Sequence, residues 1–121
     1  MNVFDSSALL AWLGGEAGEG VVERALLAGG CCGAANWSEV AQKVLQRSSA
    51  WPASREALLS SGIQVVPVTI EDAERAAGSW RAGDGRSLAD RLCLALGERL
   101  EAEVWTADAA WGTGGRIRQI R

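Results

Sequence analysis

The chain has no histidine and no tyrosine, one lysine (Lys43), one phenylalanine (Phe4) and two prolines. Without histidine there can be no Ser-His-Asp triad, no Cys-His pair, no imidazole general base and no zinc site that needs an imidazole ligand. Any catalysis must use other groups. The three cysteines are an odd number, Cys31 and Cys32 are adjacent, and no C-x-x-C spacing occurs. Neither a disulfide framework nor a zinc ribbon is indicated, and this usage suits a reducing, cytoplasmic compartment. Long apolar runs are also missing. The longest charge-free stretches, residues 25–38 and 57–70, hold 14 residues each and are broken by glycine or proline. A membrane span needs roughly 20 apolar residues, and MNVFDSS lacks the basic start and apolar core of a signal peptide. No membrane association is expected. Basic charge is not in excess either: 12 bases face 15 acids, a formal net charge of -3. Bulk charge therefore does not hold a nucleic acid, and any such contact must be local.

What is present is the composition of one folded domain, with 48% hydrophobic and 22% charged residues in a chain of 121. A single domain over 1–121 is expected, with short β-type runs alternating with longer helical ones in the manner of an α/β fold. Strands are predicted at Asn2 to Phe4, Cys31 to Ala34, Gln64 to Val68 and Glu103 to Thr106, with a terminal run holding Ile117 and Ile120. Asp5-Ser6-Ser7 caps a helix that ends at Gly14-Gly15, and residues 16–28 form a second, with Val21, Val22, Ala25 and Leu26 as its apolar stripe. Asn36 is read as the cap of a helix to Arg47 that turns Val40, Val44 and Leu45 inward. Pro52 opens a helix ending near Gly62, Thr69 caps one reaching Trp80, and Ser87 opens a buried helix to Leu100. Asp108 caps a short turn through Trp111. Crossovers of a dozen or more residues fit a parallel sheet of four or five strands.

Placed on this map, Asp5, Glu39, Asp90 and Asp108 all lie near helix starts, which gather at the carboxyl edge of a parallel sheet, where α/β ligand sites form. Carboxylates converging there stay ionised together only with a compensating cation. All-oxygen ligation implies a hard ion, Mg²⁺ or Mn²⁺. Each acid has a plainer use as well. Asn36-x-x-Glu39 and Ser87-x-x-Asp90 have capping-box spacing, Glu39 stands four residues before Lys43, and Asp5 and Asp108 suit N-caps. Thr69-Ile70-Glu71-Asp72 obeys the same positional rule, so placement alone does not choose the four.

Four segments in order do choose them: VFDSSALLAWL at the start, NWSEVAQKV near residue 40, SLADRLCLALG near residue 90 and TADAAW near residue 108. Together they resemble the PIN domain, and within it the VapC-type toxins of bacterial and archaeal toxin–antitoxin pairs. The resemblance implies a PIN-like three-layer α/β/α fold and an acidic site in which Asp5, Glu39, Asp90 and Asp108 take the family's carboxylate positions. Asp72, Glu71 and Asp84 match none of them. It implies a Mg²⁺-dependent endoribonuclease, with Mn²⁺ as a substitute, in which water acidified by the ion attacks a backbone phosphorus. Asp5 and Asp90 are the expected direct ligands. Glu39 would ligate a second ion or orient the water, and Asp108 would act through water.

Ser7 and Thr106, next to these acids in sequence, are candidate supporting hydroxyls, although local turn bonding is a common use of such positions. Arg86 and Arg91 flank Asp90 and are candidate contacts to RNA phosphate; the alternative is that Arg91 pairs with an acid on its own helix. Arg116, Arg118 and Arg121 form a basic end. The six tryptophans lie mostly beside apolar runs and read as core or interface residues rather than base-stacking platforms. Trp12 and Leu13 are expected to contact the cognate antitoxin that the resemblance implies, and a homodimer is implied with it. Two other readings are a non-catalytic interaction module on the same scaffold and a receiver-like phospho-accepting domain. The first would be expected to lose some of the acids, and the second to carry a neighbouring acid at Asp5 and a late-strand lysine.

Overall fold

In the computed structural model, which describes residues 1–121, the β-type runs become five parallel strands. These are β1 (Asn2–Phe4), β2 (Gly30–Gly33), β3 (Gln64–Val66), β4 (Glu103–Thr106) and β5 (Ile117–Gln119), arranged in the order β3-β2-β1-β4-β5. Helices α1 (Ser6–Gly14) and α2 (Glu19–Leu27) connect β1 to β2, and α3 (Ala34–Arg47) and α4 (Trp51–Ser60) connect β2 to β3. Next, α5 (Ile70–Gly78) and α6 (Leu88–Leu100) carry the chain from β3 at one edge back past β1 to β4. The chain thus reverses direction across the sheet between β1 and β4, which opens a crevice at their carboxyl ends.

Alternation along the strands divides the core in two, because successive side chains leave a strand on opposite faces. Phe4 and Cys32 join Leu9, Val22, Leu26, Val40 and Leu58 on one face, while Val3, Cys31 and Val104 join Cys93, Leu96 and Trp111 on the other. The adjacent cysteines are therefore buried free thiols in different cores. Burial pushes Cys32 up to about 12, which leaves it an inert small hydrophobe. Gly97 lets α6 approach β4, since a Cβ there would collide with Val104 Cγ2. No helix is long and apolar enough to cross a membrane.

Several boundaries differ from the sequence expectation for local reasons. The second helix begins at Glu19 rather than residue 16, because Gly18 turns the chain at φ 95° against Ile120, whose carbonyl would sit 2.6 Å from any Cβ there. The third strand stops at Val66, because Pro67 has no N–H to continue the ladder. The helix from Thr69 ends at Gly78, two residues before Trp80. Asn36 is not a cap: α3 starts at Ala34 with Gly33 as its N-cap, so Asn36 is the third helical residue and fully buried. Leu45 is not inward but 59% exposed, and Leu88 is likewise exposed at the start of α6. Leu45 lies one position round the helix from Val44, outside the stripe that Val40 defines.

Candidate active site

The crevice at the ends of β1 and β4 holds three carboxylates. Asp5, the residue after β1, is 2% exposed, and ligand oxygens of Asp5, Glu39 on α3 and Asp90 on α6 all lie within 4.8 Å of one another. Asp5 sits at the N-cap of α1 yet makes no side-chain capping bond. Its Oδ2 instead accepts from Ser7 Oγ at 2.6 Å and from Thr106 Oγ1 at 2.9 Å. Each hydroxyl in turn accepts a backbone N–H: Ala107 N donates to Ser7 Oγ at 2.9 Å and Asp108 N to Thr106 Oγ1 at 3.0 Å. Each hydroxyl thus accepts one backbone N–H and donates its proton to Asp5, and the two hydroxyl oxygens lie 3.2 Å apart.

Glu39 is held from two sides. Ser6 Oγ donates to its Oε1 at 2.9 Å, and Asn36 Nδ2, one helical turn earlier, donates to the same oxygen at 3.3 Å while lying 3.5 Å from Asp5 Oδ1. The pairing with Lys43 does not form. Asp90 closes a capping box with Ser87: its Oδ2 accepts from Ser87 N at 2.9 Å, and its own N–H donates to Ser87 Oγ at 3.1 Å. In all three acids one oxygen is tied back by protein donors, which orients the carboxylate and leaves the other oxygen free of strong protein bonds.

The electrostatics are unbalanced. No arginine or lysine pairs with any of the three acids. The Asp5 carboxyl is pushed above its ordinary range, first by burial and further by the charges of Asp90 and Glu39, against the lowering effect of the Ser7 and Thr106 hydrogen bonds. Cys93 is fully buried, and its thiol is pushed well above the usual range, first by burial and then by the charge of Asp5. Asp72 shows the opposite solution. It is equally buried, but Arg99 donates to it twice, at 2.7 and 3.0 Å, and it completes the capping box of Thr69. Burial raises its carboxyl, the Arg99 and Thr69 bonds outweigh that, and its pKa lies below the usual value. A buried acid with its own cation is structural; three acids sharing a crevice without one suit a hard divalent cation, whose oxygen ligands they would supply.

The remaining sequence candidates lie around this cluster. Asp108 is exposed and outside it; its Oδ1 accepts from Ala110 N at 3.0 Å and caps the short turn Ala109–Trp111. Its N–H still reaches Asp5 through Thr106. Arg91 pairs with no acid on its helix: its Nη1 donates to Ala76 O at 2.8 Å. The Arg86 side chain has no protein partner, and only its N–H is bonded, to Asp84. Trp12 is half-buried, its indole N–H bonded to Glu23, and with Glu23, Leu26, Leu27, Ala57 and Ser61 it lines a cavity of about 320 Å³ between α2 and α4. Leu13 packs on the larger core and does not line that cavity. Two site residues, Asn36 and Ser6, read in the sequence only as helix-cap positions and not as site residues. The available signal is the Asn36-x-x-Glu39 spacing, which puts the amide one turn from the carboxylate.

A five-stranded parallel sheet with helices on both faces and a carboxylate cluster at its switch point defines an α/β domain with an acidic crevice site. Residues 3–112 match the PIN domain, and the chain belongs to that family. Among solved structures it is similar to a toxin–antitoxin complex from Klebsiella pneumoniae (TM-score 0.78, 18% identity, covering 100% of this chain and 98% of that one). It is also similar to VapC20 of Mycobacterium tuberculosis, a sarcin-ricin loop cleaving toxin (TM-score 0.75, 19% identity, 97% of each chain). No curated protein matches the sequence.

Proposed function

We propose that this chain is a Mg²⁺-dependent endoribonuclease, the toxin of a toxin–antitoxin pair, with Mn²⁺ able to replace Mg²⁺. The observation that carries the reading is the convergence of Asp5, Glu39 and Asp90 within 4.8 Å without a protein cation, in a PIN domain. Asp5, Glu39 and Asp90 would hold the ion, which when bound supplies charge compensation and lowers the pKa of water. Ser7 and Thr106 fix Asp5, while Ser6 and Asn36 fix Glu39. Asp108 is assigned a contact to the ion through water. Arg86 and Arg91, beside Asp90, draw the RNA backbone toward a site that otherwise repels it. The two similar toxin structures support RNA as substrate and a protein antitoxin as partner.

The cavity beside Trp12 suits an apolar segment of the antitoxin, because Leu27 on its rim is 78% exposed. Trp12 and, at the core side, Leu13 are the assigned contact residues. A homodimer acting in the cytoplasm completes the proposal, and the buried free thiols fit a reducing compartment. The test is cleavage of RNA by the purified protein. Activity should require Mg²⁺ or Mn²⁺, stop in excess EDTA, and fall by orders of magnitude in folded Asp5→Ala and Asp90→Ala variants. Undiminished cleavage in EDTA, or by both variants, overturns the proposal.

A further inference from the structure

Arg91, Leu94, Ala95 and Glu98 fall three and four residues apart and so share one stripe of α6, different from the Cys93 and Gly97 stripe that packs on the sheet. With Arg75 from the last turn of α5, Arg86, and the segment entering β5 that holds Arg116 and Ile117, this stripe walls a cleft of about 310 Å³. It shares no residue with the carboxylate cluster, and Arg91 on its wall directly follows Asp90 in α6. Four guanidiniums line the cleft against one carboxylate, Glu98, which Arg116 engages at 3.6 Å. Arg75, Arg86 and Arg91 have no acidic partner. In a chain of net charge -3, this is a local concentration of unpaired positive charge. The Arg91 guanidinium is also held in place, since its Nη1 donates to Ala76 O at 2.8 Å.

Leu94, Ala95, Val104 and Ile117 give the same cleft an apolar lining. A cationic rim over an apolar lining, at the lower end of the size range of ligand pockets, suits a nucleotide: phosphate oxygens for the arginines and a base face for the aliphatic carbons. Each RNA residue joins a phosphate to a flat base and so meets both regions at once, whereas an acidic protein segment needs separate acidic and apolar side chains to do the same. We propose that this cleft binds the single-stranded RNA next to the scissile bond, with successive phosphates on the four arginines and a base against Leu94 and Ile117. The inference rests on the ribonuclease reading and adds to it where the flanking chain runs: along α6, toward β5.

The experiment is the binding of a fluorescein-labelled single-stranded oligoribonucleotide, followed by anisotropy in EDTA so that the RNA stays intact, over a series of salt concentrations. Arg75→Gln combined with Arg116→Gln leaves the acid cluster and the residues beside Asp90 untouched. Removing one arginine–phosphate pair should flatten the log–log salt dependence by about 0.7, so the double variant should show a slope smaller by about 1.4 and an affinity weaker by on the order of tenfold. An unchanged melting temperature checks its fold; Arg75→Glu, at an exposed position on α5, gives an independent variant expected to weaken binding in the same direction. Unchanged slope and affinity in these variants, while the wild type still cleaves RNA, overturns the cleft and leaves the nuclease reading standing. If RNA affinity is kept and self-association or antitoxin binding disappears, the cleft is a protein interface and the proposal is wrong. A wild type that neither binds nor cleaves RNA overturns both readings.

Discussion

Replacing Thr106 by valine removes the Thr106 hydroxyl, and with it a hydrogen bond to Asp5, from the acid crevice. The two side chains have nearly the same volume, and Thr106 is fully buried, so the substitution removes a hydroxyl without opening a cavity. It removes the 2.9 Å bond from Oγ1 to Asp5 Oδ2 and the acceptor for Asp108 N. Asp108 is exposed, so water replaces that acceptor and the cost falls mainly on Asp5. A hydrogen bond to a charged group contributes about 1.5–3 kcal/mol. For a domain of this length, that corresponds to a fall in melting temperature of about 5–12 °C at pH 7, measured with EDTA present. The sign with pH is fixed: the bond favours ionised Asp5, so its contribution is present where Asp5 is charged in the folded protein. It fades as pH drops through the raised folded pKa. The gap between Thr106→Val and wild type should therefore narrow in acid, and Mn²⁺ affinity, read by electron paramagnetic resonance, should weaken. Thr106→Ser, which keeps the hydroxyl, should restore most of the metal affinity. Equal melting temperature and equal Mn²⁺ affinity in Thr106→Val would refute the view that the hydroxyl pair holds Asp5 for an ion.

Three further outcomes follow from the same geometry. Asp5→Asn should abolish cleavage yet raise the melting temperature of the metal-free protein at neutral pH: a carboxyl whose folded pKa is raised costs stability above its ordinary pKa of 3.8, and the gain should vanish in acid, where the wild-type group is protonated anyway. Asp72→Ala should do the reverse, losing about 2–3 kcal/mol at pH 7 from the cap and the stranded Arg99 while cleavage persists in the folded fraction. Because the Asp72 pKa is lowered, that deficit is full above its ordinary 3.8 and shrinks as pH falls through the folded value; denaturant titrations at pH 7 and pH 3 test it. Trp12→Ala should weaken antitoxin binding more than folding, since the ring is half-buried against the cavity; calorimetric titration and a melting curve separate the two, and undiminished affinity with reduced stability would put Trp12 in the core.

The contrast between Asp5 and Asp72 also marks where the sequence stops being legible. Strand positions and alternation can be read directly: Val3-Phe4 and Cys31-Cys32 are apolar pairs that must split between two faces, and both do. The Thr69 and Ser87 capping boxes are visible as spacings, because a capping bond joins residues three apart. What distinguishes a structural acid from a site acid is its counter-charge, and that is a long-range fact. Asp72 meets Arg99 across 27 positions, whereas Asp5 meets Thr106 across 101 and Asn36 across 31, with no cation in either contact. Local sequence gives Asp5, Asp72, Asp90 and Asp108 the same helix-start environment, so propensity ranks them together, and only the family resemblance in the chain separates them. The crossover from β3 to β4, which sets β4 beside β1, then decides the chemistry, because it brings Asp90 to the crevice of Asp5 and Glu39 and takes Asp72 to Arg99. The packing of α3 against α1, a different long-range contact, explains why Asn36 reads as a cap. Its bond to Glu39 is local to α3, but Asp5 approaches only when α3 packs beside the start of α1, so a buried amide that joins two carboxylates looks, from neighbouring residues alone, like an ordinary helix start.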